Sequence, residues 1–158
     1  MNGVGGERGE KTLAENRKAR HDYFVEEVVE AGIELQGTEV KSLRLGHVNL
    51  RDSHAVIQHG ECFLLNCHIS PYEHGNRWNH EPYRTRKLLL HRRQLRELHA
   101  KVRQQGYTLV PLRVYFNERG RAKVELALAR GKKQYDKRAT TAEREAARRI
   151  DRALKNRR

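Results

Sequence analysis

Among the side chains able to do chemistry, the densest group is His59, Cys62, Cys67 and His68, four potential zinc ligands in one short stretch. Zinc needs ligands that converge on a single tetrahedral point. On one extended strand Cys62 and Cys67 have opposite parity, and Cys67 and His68 are neighbours, so these side chains are expected on opposite faces and no metal site is expected. Asp52-Ser53-His54 contains the residue types of a hydrolytic triad. Adjacent residues cannot hold nucleophile, base and orienting carboxylate in one hydrogen-bonded line, so the expectation is a polar turn ahead of a strand. Gly3, Gly5, Gly6 and Gly9 neither follow a strand nor open a helix, which argues against a phosphate-cradling loop. Nine histidines could supply general acids or bases for RNA cleavage, yet none is paired in sequence with a second catalytic group. The reading is of a non-enzymatic protein with no cofactor.

The chemistry that remains is ionic. Lysine and arginine number 33 against 20 acids, a formal net charge of +13, which is the electrostatic footprint of a polyanionic partner. The charge is unevenly placed: residues 130–158 hold 12 basic and 4 acidic side chains, so eight of the thirteen net charges lie there. A second basic stretch sets Tyr72, Trp78 and Tyr83 among Arg77, Arg84, Arg86 and Lys87. Its rings could stack on bases while its arginines meet phosphates, or the tyrosines could pack back onto the domain.

These side chains need elements to position them. A chain of 158 residues suits one domain with appendages. Residues 1–15 are glycine-rich and charged, and read as a flexible extension. From Tyr23 to Leu35 apolar residues fall on odd positions and Glu26, Glu30 and Glu34 on even ones, the period of a long half-buried strand, with Gly32 marking a bulge or bend. A short helix follows, capped by Thr38 and ended by Gly46. His59-Gly60 turns a hairpin between 54–58 and 62–66. Residues 70–87 read as a polar loop. Leu95, Leu98 and Val102 line one face of an amphipathic helix that stops at Gly106, and two strands, 109–116 and 122–129, close the domain around a turn at Gly120.

About five strands with a helix inserted before the last pair suit a mainly β, α+β domain: a closed barrel of the oligonucleotide-binding type over residues 16–130. The tail, 131–158, has no core face as far as Arg138 and is expected to be disordered when free. Beyond it, Thr140 with Glu143 makes a capping box, and Ala142, Ala146, Ile150 and Leu154 form a narrow stripe. That helix, from about 141, is marginal alone and should form on a surface. No apolar run approaches the ~20 residues that span a bilayer. The N-terminus lacks a signal peptide's apolar stretch, and two cysteines make no disulfide framework, so a cytoplasmic protein with reduced thiols is expected.

Five collinear segments carry a resemblance: Asn16-Arg-Lys-Ala-Arg-His-Asp-Tyr-Phe24, Gly37-Thr-Glu-Val-Lys-Ser-Leu-Arg44, His68-Ile-Ser-Pro-Tyr72, Arg84-Thr-Arg-Lys-Leu-Leu-Leu90 and Gly131-Lys-Lys-Gln-Tyr-Asp-Lys-Arg138. In these the chain resembles the small protein B (SmpB) family, the tmRNA-binding proteins of bacterial trans-translation. The resemblance implies a barrel that grips the tRNA-like domain of tmRNA and enters a stalled ribosome with it. It implies RNA-facing positions at Asn16, Glu30, Leu89 and Lys123, with Arg20, His21, Lys41 and Arg44 as phosphate partners. Gly131, Lys132, Lys133, Gln134, Tyr135, Asp136, Lys137 and Arg138 would act at the decoding centre of 16S rRNA, and the terminal helix would lie in the empty mRNA channel. Alanyl-tRNA synthetase and elongation factor Tu would be indirect partners of a monomeric protein. The rival readings are a structural ribosomal protein and an RNA-processing enzyme.

Overall fold

A computed structural model of the chain describes residues 9–132 and position 149. Within residues 9–132 nine strands and three helices follow in the order β1 (Lys11–Glu15), α1 (Arg17–Asp22), β2 (Tyr23–Ile33), α2 (Gly37–Arg44), β3 (Val48–Asn49), β4 (His54–Gln58), β5 (Glu61–Leu65), β6 (His68–Ile69), β7 (Arg86–Leu89), α3 (Arg92–Val102), β8 (Tyr107–Phe116) and β9 (Ala122–Gly131), with a 3-10 turn at Glu73–Trp78. Pairing runs β8-β9-β2-β7-β5-β4 and back to β8, so six strands close a ring, all neighbours antiparallel. The architecture is mainly β with a few helices, a ring of strands close to a barrel, with α3 inserted before the last strand pair as the sequence led one to expect.

Alternation explains the ring. On β2 the expected odd face turns inward after a bulge between Val25 and Glu27, where Ala31 is fully buried and Glu30 exposed. Leu64, Leu88, Leu109, Val114, Val124, Leu126 and Leu128 from four strands fill the interior, and Leu43 of α2 and Leu98 of α3 pack into the same cluster. His59 and Gly60, at φ +53 and +75, make the primed two-residue turn that matches strand twist.

Several expectations need correction. Residues 11–15 are not part of a loose extension: they form β1, which pairs antiparallel with 113–116 of β8. The folded body therefore starts before Asn16 and ends after residue 130, because β9 runs to Gly131. Helix α2 is capped by Gln36, whose backbone N–H donates to Glu39 Oε1 at 2.7 Å, while Thr38 Oγ1 instead meets His80 Nδ1 at 2.9 Å. The bulge of β2 lies at Val25/Glu27 rather than at Gly32. The polar loop ends early, since Arg86 and Lys87 belong to β7. Finally, Cys62 and Cys67 both face the core, because Asn66 at φ +61 turns the chain between them and cancels the parity argument. Ser53 does sit in a turn, its hydroxyl and N–H both donating to the Leu50 carbonyl.

Candidate nucleic-acid interface

The outward side of the sheet is built from the residues that flank the buried valines. Val114 and Val124 face inward, so alternation turns Arg113, Tyr115, Lys123 and Glu125 outward. Register then lays out two rows. One runs Leu89, Gly32, Lys123, Tyr115 and Thr12 across β7, β2, β9, β8 and β1; the next runs Glu30, Glu125 and Arg113. Gly32 has a reason to be glycine here. A Cβ on it would come within 3.3 Å of Leu89 Cβ, so its absence lets Leu89 lie over β2 while remaining 46% exposed.

Charge on this face is held in place. Arg113 donates to Glu125 Oε2 (3.0 Å), Glu10 Oε1 (3.2 Å) and Thr12 Oγ1 (3.1 Å), and its guanidinium lies 3.9 Å from the Tyr115 ring centroid. Burial works against its charge, but Glu125 and Glu10 outweigh that and raise its pKa further. The Tyr115 hydroxyl donates to Glu30 Oε2; burial, then this bond, raises the phenol's pKa. Arg20 Nη2 reaches Glu125 Oε1 at 3.3 Å. Among the described residues Lys123 forms no ion pair, so its ammonium is available to a phosphate.

Helix α1 borders this face. Asn16 starts it, accepting from Ala19 N–H (3.2 Å) and donating to the carbonyls of Pro111 (3.0 Å) and Leu50 (3.5 Å). Ala19 is buried on Val110, Leu112, Ala127 and Ala129, which seats the helix on the outside of β8 and β9. Arg17, Lys18 and Arg20 are left exposed.

The sequence-derived positions separate into groups. Glu30, Leu89, Lys123 and Arg20 come together on one face. Asn16 lines an open cleft with Arg20, Arg113 and Glu125 at the border of that face, its side chain committed to hydrogen bonds within the chain. His21 is exposed on α1 with Nδ1 3.0 Å from Asp22 Oδ1. Lys41 and Arg44 sit on α2, Lys41 Nζ lying 5.4 Å from the Tyr72 ring, and among the described residues no contact links them to the sheet face. Gly131 ends β9, and Lys132 Nζ donates to the Arg20 carbonyl at 3.3 Å. Lys133 to Arg138 lie outside the described residues, as does the expected helix from about 141 apart from Arg149, which is helical and exposed. In the aromatic stretch, Trp78 is 77% exposed while Tyr83 packs edge-on to His68 at 4.9 Å. Arg113, Tyr115, Glu125 and Glu10 were missed; parity on the strand 109–116 would have turned the first two outward.

An oligonucleotide-binding-type barrel with a fixed polar face and a basic border is the architecture of a nucleic-acid-binding domain. The family model described as SmpB protein matches residues 13–156, and the chain belongs to that family. Its relatives include an SsrA-binding protein of Symbiobacterium thermophilum, 65% identical over 145 residues that cover 92% of each chain. Another is an SsrA-binding protein of Moorella thermoacetica, 60% identical over 93% of this chain and 95% of the relative. A chain in a solved tmRNA–SmpB structure, described as a journey to the center of the bacterial ribosome, is 60% identical with a TM-score of 0.66, covering 78% of this chain and 87% of that one.

Proposed function

We propose that this chain binds tmRNA through the outward sheet face and delivers it to stalled ribosomes for trans-translation. The observation that carries the proposal is the convergence of Glu30, Leu89, Lys123 and Arg20 on one side of the barrel. Lys123 and Arg20 meet phosphates, and Leu89 offers an apolar surface to an unstacked base. Glu30 cannot contact phosphate; it accepts from a base edge or a 2'-hydroxyl and so supplies specificity. His21, Lys41 and Arg44 extend the phosphate contacts, and Asn16 acts by fixing α1. Residues 131–138 act at the decoding centre and the terminal segment in the mRNA channel. The protein works by binding rather than turnover, in the cytoplasm and as a monomer. Alanyl-tRNA synthetase and elongation factor Tu meet the same RNA. Among the described residues no helix is long and apolar enough to cross a membrane.

The test separates the two regions. Glu30→Ala with Lys123→Ala should weaken binding of the tRNA-like fragment of tmRNA and erode its preference over ordinary tRNA. Alanine at Asp136, Lys137 and Arg138 should leave that affinity intact and abolish tagging on stalled ribosomes. Unchanged affinity in the first variant would remove the sheet face from the site.

A further inference from the structure

Helix α3 carries a feature that folding does not explain. Its core side is Leu95, Leu98 and Val102. Arg92, Arg96, His99 and Arg103, spaced i, i+4, i+7 and i+11, form a separate stripe along one flank, all four exposed and together about 16 Å long at 1.5 Å per residue. The acids that could neutralise them are engaged elsewhere: Glu97 with Arg93 at 4.0 Å, and Glu27 with Lys101 at 2.6 Å. Among the described residues Arg92, Arg96 and Arg103 form no ion pair. Cations near the C-terminus of a helix are favoured by its dipole, but those in the first turn are not, and the first turn here holds arginines and no acid. The placement of Arg92 therefore opposes helix stability and calls for an anion from outside.

The stripe also borders a groove. Between α3, β4 and β8 lies a cleft of about 270 Å³ whose apolar lining is Ile57 and Val102 above the buried Ala55 and Leu109, with Thr108, His99 and Arg103 as its polar lining. An apolar floor with a cationic rim is the pairing that single-stranded nucleic acid uses, the floor taking a base and the rim the phosphates. A folded helix would present its backbone to the arginines but no unpaired base to the floor.

We propose that the flank of α3 and the adjoining groove form a second RNA site, separate from the Glu30–Lys123 face, that takes an unpaired strand without reading its sequence. The full chain is titrated with a fluorescent 12-nucleotide oligouridylate across a range of salt. Arg92→Gln/Arg96→Gln/Arg103→Gln should weaken binding about tenfold and lower the log–log salt slope by about 2, at ~0.7 per phosphate on a single strand. Arg51→Gln/Arg119→Gln/Arg121→Gln removes the same net charge from exposed turns and should cause less than half of either effect. His99→Glu, which sets a carboxylate into the stripe, should weaken binding when measured well below its thermal midpoint, which an anion in the last turn lowers slightly. Equal losses in the two triple variants would mean that only net charge is felt and would overturn the proposal, as would unaltered binding by His99→Glu.

Discussion

Tyr115 on β8 reaches across β9 to donate its hydroxyl to Glu30 on β2, and Arg113 covers the ring on its other side. Glu30 is thus not a loose surface carboxylate. With Tyr115 only 3% exposed and its phenol held protonated, the bond restricts the carboxylate to a narrow range of orientations before any RNA arrives. Preorganisation of this kind contributes by lowering the ordering cost of binding.

Tyr115→Phe should therefore weaken binding to the tRNA-like fragment of tmRNA by about fivefold, the value of one hydrogen bond at ~1 kcal/mol. Glu30→Gln should cost more. In a double-mutant cycle the two losses should fall short of adding, since both remove one contact. Additive losses would show that Tyr115 acts on the RNA by some other route.

How much of this was legible follows from what each signal depends on. Period-two spacing placed β2 and put Glu30 outside, because a strand's faces are set by its own residues. The cap of α2 was misassigned to Thr38 because a hydroxyl three residues into the segment looks like a cap until His80, 42 positions away, claims it. β1 was invisible for a similar reason: Lys11–Glu15 is short and polar, and is extended by pairing with β8 rather than by its own propensity. The sheet face shared this fate. Glu30, Leu89 and Lys123 came from resemblance to a family; parity could have turned Arg113 and Tyr115 outward, but linking Tyr115 to Glu30 needed the register of β8, β9 and β2.

Asn16 couples fold and site in one side chain. Its cap on Ala19 and its donation to the Pro111 and Leu50 carbonyls fix α1 against the sheet. Asn16→Ala should lower stability by about 1–2 kcal/mol in urea unfolding, typical of a lost cap. Asn16→Asp keeps the acceptor but not the donor, and should fall between. If Asn16→Ala weakened RNA binding with no change in the unfolding midpoint, the residue would be a direct contact and not a support.

The two thiols give a simple probe of the corrected core. Burial pushes Cys62 up to about 12; burial also dominates at Cys67, raised to about 11 despite the opposing charge of Arg86. Neither presents a thiolate at pH 8, and neither is accessible. A thiol-disulfide reagent at that pH should react with both only in denaturant. Rapid reaction of either in the native chain would contradict the inward turn at Asn66.

Acid should find the weak point of the fold at Glu39. Its carboxylate is fully buried, accepting from Arg86 Nε at 2.6 Å, Arg84 Nη2 at 2.6 Å and the Gln36 N–H at 2.7 Å. Burial alone would raise its pKa, but the bonds from Arg84 and Gln36 and the charge of Arg86 prevail and hold it below the ordinary carboxylate range. A depressed folded pKa means that the unfolded chain binds the proton first, so the pair stabilises fully above the unfolded value of ~4.3 and loses that contribution as pH falls through the folded one. Arg86 is also buried and donates to the Cys67 carbonyl in the turn after β5 and the Pro82 carbonyl in the loop before β7, tying both to β7. Glu39→Gln should leave that guanidinium without a counter-charge and cost about 3–5 kcal/mol at pH 7. The difference between wild type and variant should then shrink on acidification below about pH 4, because protonation converts the wild-type carboxylate into a near match of the amide. Urea midpoints measured from pH 7 to pH 3 check this, and a gap that stays constant over that range would show that the pair's ionisation contributes nothing to the fold.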